Sequence, residues 1–202
     1  MDKTKSSGSY YGSSAAERST QVSRADSKKN NMIEENFDDP IISDLMFTYK
    51  WTLWEQYEHQ DETDYTQTMN KVAWFADSIS FWRVWKAIPH SDPKNFFTHV
   101  IDGKTYVNFY EINGKEQKVS SLSLFKTGIQ PAWEDKMNKD GGEYAIKVPV
   151  EEENTYKIWT ELVLSLVTDI FPEHKRICGV RILDKGKFLK IEMWVDYARR
   201  KD

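Results

Sequence analysis

Residues Gly128 to Ile146 read GIQPAWEDKMNKDGGEYAI, with an indole, Trp133, directly beside a carboxylate, Glu134. The stretch is rich in turn formers, so the ring is hard to bury. An exposed indole face attracts a flat, cationic or electron-poor ring. A carboxylate accepts two hydrogen bonds from an edge with two adjacent donors, and the N1–H and N2–H2 of guanine form such an edge. Methylation at N7 makes guanine cationic and strengthens both contacts. Trp133 and Glu134 are therefore candidates for reading a methylated guanine. The plainer alternative is a half-buried packing Trp beside a solvated Glu.

Other chemistries find little support. His59, His90, His99 and His174 are scattered, none at ligand spacing, and there is no Cys cluster, so no metal site is expected. A Gly-rich phosphate loop and a nucleophile elbow are both missing. Glu134 and Asp135 could form a catalytic pair, but adjacent carboxylates in a turn usually cap it or face solvent. The chain reads as non-enzymatic and free of cofactors. Cys178, the single cysteine, lies among strand-forming apolar residues and reads as a buried, inert thiol.

The totals bound the rest. The 202 residues suffice for one domain with a real core. A net charge of −4 gives no global basic field, so an anionic ligand needs a local cluster. One cysteine allows no internal disulfide and fits a reducing, cytoplasmic setting. The start MDKTKSSGSYYGSS has no apolar core of a secretory signal, and the apolar stretch LVLSLV is too short to span a bilayer. Eight tryptophans are more than a core of this size needs, so some are expected to meet a partner or ligand.

The elements that must position these residues follow from periodicity. Residues 1–40 are rich in Ser, Asn, Lys and Glu, and a disordered extension is expected, with a folded domain over 41–202. MFTYKWTLW alternates as a half-buried strand, with Phe47, Tyr49, Trp51 and Leu53 on one face; KVAWFA is a second strand. DSISFWRVWKAI suits a short helix capped by Asp77 or Ser78, with Ile79, Trp82, Trp85 and Ala87–Ile88 as its apolar positions, ended by Pro89. Asp102-Gly103 and Asn113-Gly114 flank TYVNFY and predict a two- or three-stranded meander. GEYAIKVPV is a strand. NTYKIWTELVLSLVTDIF is a helix capped by Asn154 or Thr155, with a stripe from Ile158 to Ile170. CGVRIL, DKGK and FLKIEMWVDYA form a closing hairpin. This order predicts an α+β fold, an antiparallel sheet with helices on one face and the other face free to bind.

SLFKTGIQPAWEDKMNKDGGEYAI closely resembles the signature of the 4E family of eukaryotic translation initiation factors, which bind the messenger RNA cap. YKWTLW, SFWRVW, YKIWTELVLSLV and CGVRILDKGKFLKIEMW resemble, in order, its first strand, first helix, second helix and cap-site hairpin. The resemblance implies a curved antiparallel sheet backed by helices, with the cap on the concave side. Trp133 matches the tryptophan that stacks on the methylated base, with its backbone N–H toward guanine O6. Glu134 matches the acid on N1 and N2, and Trp194 the tryptophan near the N7-methyl group. Lys185 falls where the family has a phosphate-binding arginine, and Lys190 on its phosphate lysine. On the convex side Trp82, Glu161 and Leu164 match a surface that docks partners carrying a helix of the type Tyr, four variable residues, Leu and an apolar residue. Those partners include an initiation scaffold protein, and the implied binder is a monomer.

The same resemblance exposes departures. The second stacking aromatic is Tyr65 in DYTQTM, with Tyr57 the alternative in another register. Glu143 stands where many members have an arginine, placing a negative charge near the phosphates. The connection over residues 89–121 is longer than usual, and YARRKD falls short of the family's last helix and terminal strands, which is expected to remove some core cover. LMF precedes the first strand where a His-Pro-Leu type triplet is typical, and Ser78 and Thr160 replace apolar contacts on the partner side. The expected function is recruitment of capped mRNA to translation initiation. The alternatives are a cap-binding repressor, and an interaction module with the same fold and little cap affinity.

Overall fold

Phe47, Tyr49, Trp51 and Leu53 alternate along the first strand, and the computed structural model turns all four toward the main core. It describes residues 45–58, 68–88, 96–112, 114–149 and 154–196. The expected disordered extension and Tyr65 lie outside the described residues.

Strands β1 (Met46–Tyr57) and β2 (Met69–Asp77) lead into helix α1 (Ser78–Ala87). Two hairpins follow: β3 (Thr98–Ile101) with β4 (Lys104–Val107), and β5 (Phe109–Ile112) with β6 (Lys115–Lys126). Then come β7 (Gly142–Pro149), α2 (Thr155–Val167), the 3-10 turn His174–Arg176, β8 (Ile177–Asp184) and β9 (Phe188–Val195). The main sheet runs β2-β1-β6-β8-β9-β7, with β5 beside the outer part of β6, and every pairing is antiparallel. This is the α+β architecture expected.

Both helices pack on one face. Phe81, Val84 and Trp85 of α1 and Trp159, Val163, Leu166 and Val167 of α2 join Trp51, Leu53, Leu124, Val180 and Ile191 in one core. Burying each such large side chain stabilises the fold by about 1.5–3 kcal/mol. Asp77 caps α1 by accepting the Ser80 N–H at 2.8 Å. Asn154 takes the N-cap position of α2 in helical backbone geometry and makes no side-chain cap bond.

Three expectations need correction. The buried stripe of α1 is Phe81, Val84 and Trp85, whereas Ile79, read among the apolar positions, is 50% exposed; Trp82, matched to the outer surface, is 42% exposed as that match implies. The i, i+3, i+4 spacing from Phe81 puts the other two on the outer side. Second, β1 is not half-buried: from Trp51 to Tyr57 both its faces are covered. On the face away from the helices, Thr52 shares a hydrogen bond with Thr127, and Gln56 bonds Ser121 and the buried Arg181. Third, the meander is two separate hairpins. Asp102 and Gly103 adopt positive φ in the first turn, which closes β3–β4 as its own two-stranded sheet.

On the helix side, α2 and the edge strand β7 leave an open apolar cleft of about 540 Å³ between Tyr144, Ile146, Ile158, Leu162, Phe171 and Met193.

Candidate functional site

The register of the sheet lays out the face opposite the helices. Trp74, Thr52, Phe125, Gly179, Trp194 and Glu143 follow one another across six strands. The next row on that face holds Ser123, Arg181, Glu192 and Ala145. Lys190, Glu192 and Trp194 alternate on β9 and so share the face. Phe125, Ile129, Cys178 and Trp194 make a small apolar cluster there, separate from the main core.

Gly179 is required at this floor. A Cβ on it would lie 2.5 Å from the Leu124 carbonyl oxygen and 2.4 Å from the Phe125 ring. Cys178 beside it is buried, and its Sγ–H donates to the Met137 carbonyl at 3.7 Å. Burial, helped by nearby Asp196, pushes the thiol up to about 11, so it stays protonated near neutrality.

The loop from β6 to β7 carries Trp133 and Glu134. Two side chains fix its shape. Asp135 accepts the N–H groups of Gln130 and Met137, both at 2.9 Å. Asn138, 1% exposed, donates through Nδ2 to the carbonyls of Gln130 at 2.7 Å and Ala132 at 2.8 Å. Gly141 ends the loop where a Cβ would lie 2.1 Å from the Val195 carbonyl oxygen. Asp135 takes the turn-capping role expected of adjacent carboxylates in a turn; Asn138 was not singled out in the sequence, and the two together present Trp133 and Glu134.

Trp133 is 45% exposed and lies face to face on Trp194, with ring centroids 4.0 Å apart and planes 23° from parallel. Trp194 is 2% exposed and donates Nε1–H to Glu192 Oε2 at 2.9 Å. Glu192 is itself 4% exposed, a buried carboxylate that the sequence reading missed. Glu134 is exposed, and its carboxylate makes no hydrogen bond among the described residues. The site thus offers an open indole face beside an available carboxylate.

The two lysines differ. Lys185 is exposed in the β8–β9 turn, where Gly186 takes φ 75° and donates its N–H to Asp184 at 2.7 Å. Lys190 is engaged: its Nζ lies 2.5 Å from Glu143 Oε1 and 2.6 Å from Glu192 Oε1. The hydrogen bonds to Glu143 and then Glu192 raise its pKa above the ordinary lysine value. Glu143 was expected to add only a general repulsion; it holds Lys190 directly.

Tyr57 is unsuited to stacking from the open face. It is 5% exposed, belongs to the main core, and donates its O–H to Glu55 at 3.0 Å. On the helix side, Trp82 is exposed beside buried Phe81, Glu161 is exposed and 3.9 Å from Lys157, and Leu164 is half-buried against the core. Trp82 lies on α1 and the other two on α2. Ile79 adds exposed apolar surface one turn from Trp82. Among the described residues no group of three or more His, Cys, Asp or Glu could hold a metal ion.

A family model described as eukaryotic initiation factor 4E matches residues 46–202. The chain belongs to the eukaryotic initiation factor 4E family. Among its 4E relatives, eukaryotic translation initiation factor 4E of Aplysia californica is 26% identical over 171 residues, covering 83% of this chain and 69% of the relative. The type 1B 4E of Homo sapiens is 34% identical over 103 residues, 46% of this chain and 43% of the relative. Matches take in 54% of the Drosophila melanogaster 4E1 and 51% of the Xenopus laevis 4E, so the chain spans about half the length of several 4E relatives. The 4E fold is shared with solved structures. Ascaris suum eIF4E-3 in complex with the m2,2,7G cap has a TM-score of 0.58 at 22% identity, covering 78% of this chain and 77% of that one. C. elegans eIF4E-3 with the 4E-binding protein Mextli and a cap analog has a TM-score of 0.56 at 23% identity, covering 78% of each chain.

Proposed function

We propose that this chain binds the 7-methylguanosine cap of messenger RNA on the sheet face opposite its helices, in the cytoplasm, and passes the capped message to the initiation machinery through a scaffold protein. The observation that carries the proposal is the pair Trp133 and Glu134, exposed side by side on a loop that Asp135 and Asn138 hold rigid, in a chain of the 4E family. The outer indole face takes the cationic base, and the carboxylate accepts from N1–H and N2–H2. Trp194 closes the site from below, with Glu192 fixing its ring. Lys185, and Lys190 once released, serve the phosphates.

The partner surface is the outer side of α1 and α2. Exposed Trp82 and Ile79, with Glu161 and Leu164, suit the apolar and polar contacts of a short amphipathic helix of the Tyr-x-x-x-x-Leu-apolar type. Two observations favour the rival reading of an interaction module with weak cap affinity: Trp133 is closed on Trp194, and Lys190 is already paired. Retention on immobilised 7-methyl-GTP, with elution by free 7-methyl-GTP but not GTP, supports the proposal; no retention, with a folded protein that still captures a Tyr-type helical peptide, supports the rival.

A further inference from the structure

Lys190 sits between two carboxylates of unequal standing. Glu192 is buried, and its second oxygen is occupied by the Trp194 indole N–H. It is part of the floor and has no freedom to leave. Glu143 lies at the start of the edge strand β7, and about a quarter of its side chain remains exposed, as does a quarter of that of Lys190. An ammonium has three N–H donors. Two of them point at Glu143 Oε1 and Glu192 Oε1, at 2.5 and 2.6 Å. The three charges sum to minus one. A phosphate approaching Lys190 therefore meets a cation with two of its three donors taken, in a cluster of the wrong sign.

We infer that Glu143 is an internal competitor for the anionic part of the ligand, and that it determines specificity by occupying Lys190. This rests on the proposed cap-binding function and deepens it. The ligand class the site favours is a 7-methylguanine nucleotide recognised through its base, with little gain for each added phosphate. A direct repulsion between Glu143 and phosphate would also lower nucleotide affinity, but it would act whether or not Lys190 were present. Competition acts only through Lys190.

The test is a double-mutant cycle with three ligands: 7-methylguanosine, 7-methyl-GMP and 7-methyl-GTP. Glu143→Gln keeps the shape and removes the charge. It should tighten 7-methyl-GTP by about three- to fivefold, the range expected for releasing a partly exposed ion pair. The change for 7-methylguanosine should be smaller, and the gain should shrink as salt rises. In a Lys190→Gln background, adding Glu143→Gln should give no comparable gain. A full gain in that background means repulsion and overturns the competition. So does a parent chain that binds 7-methylguanosine while Glu143→Gln changes none of the three affinities. A folded parent that binds none of the three ligands instead overturns the cap-binding proposal on which the inference stands. Circular dichroism of each variant establishes that the fold is retained.

Discussion

Trp133 and Trp194 stack with ring centroids 4.0 Å apart, and Trp133 is the ring that shields Trp194 from solvent on the loop side. Rings already in contact leave no room for a third between them. A purine must use the outer face of Trp133 or part the pair. In either case Trp133 is the shared element, exposed on one face and supported on the other.

Trp133→Ala should abolish useful binding of 7-methyl-GTP while leaving the fold intact. Loss of one base–aromatic stack typically costs about 1–3 kcal/mol, and a cationic base pushes the loss toward the upper end. The same substitution uncovers Trp194, so the tryptophan emission should shift to the red. Affinity by titration and the emission maximum check both parts; unchanged emission would mean that another group shields Trp194.

Glu134→Gln should weaken binding strongly, because the amide turns a donor toward a guanine donor. The effect should appear for 7-methylguanosine as well as for 7-methyl-GTP, since it concerns the base. A loss confined to the triphosphate would place Glu134 near the phosphates instead.

Asn138→Ala should act through the loop. Its amide is buried and holds the carbonyls of Gln130 and Ala132, and leaving buried acceptors unpaired costs about 1–3 kcal/mol. Thermal unfolding should show that loss, and 7-methyl-GTP affinity should fall although residue 138 has no role at the base. Retained affinity in a destabilised variant would separate the loop's shape from binding.

Trp82→Ala should remove binding of a Tyr-type helical peptide, spare 7-methyl-GTP, and barely change stability, because Trp82 is 42% exposed. Trp85, three residues on, is 6% exposed and stacks on Phe81 with centroids 5.5 Å apart. Trp85→Ala should cost about 3–5 kcal/mol of stability. Isothermal titration with the peptide, beside thermal melts of both variants, distinguishes the two indoles.

Cys178 gives a pH-dependent readout. Its pKa is raised by burial to about 11, from an ordinary thiol value of 9.0. The fold therefore favours the protonated thiol: that contribution to stability is complete below pH 9.0 and is lost as pH rises through about 11. Iodoacetamide should label the native protein hardly at all at neutral pH and readily after denaturation. Rapid labelling of the native state would mean that the floor beneath Trp194 opens.

Much of this was legible because period and chemistry agreed. Phe47 to Leu53 alternate and face one core, Asp77 caps α1, and the β8–β9 hairpin closes on its turn. The sides of α1 taken by Phe81 and Ile79 were not legible because SISFWRVWKAI is apolar on two sides, and only the tertiary partner decides between them. Glu192 was readable in principle: KIEMW places Lys190, Glu192 and Trp194 at strand period two, so a carboxylate had to share their face. Its burial was not readable, because that depends on Lys190 and the Trp194 N–H meeting it there. Asn138 was hidden for a different reason. Its partners are the backbone carbonyls of Gln130 and Ala132, and sequence does not tell where a turn folds back on itself.

The central claim is tested most directly by titrating tryptophan fluorescence with 7-methyl-GTP and, separately, with GTP. The stack on Trp133 and the cationic base predict saturable quenching by 7-methyl-GTP and a much weaker response to GTP, with the difference lost in Trp133→Ala. Equal responses to the two nucleotides, or saturable quenching that survives in Trp133→Ala, would contradict cap recognition at this site.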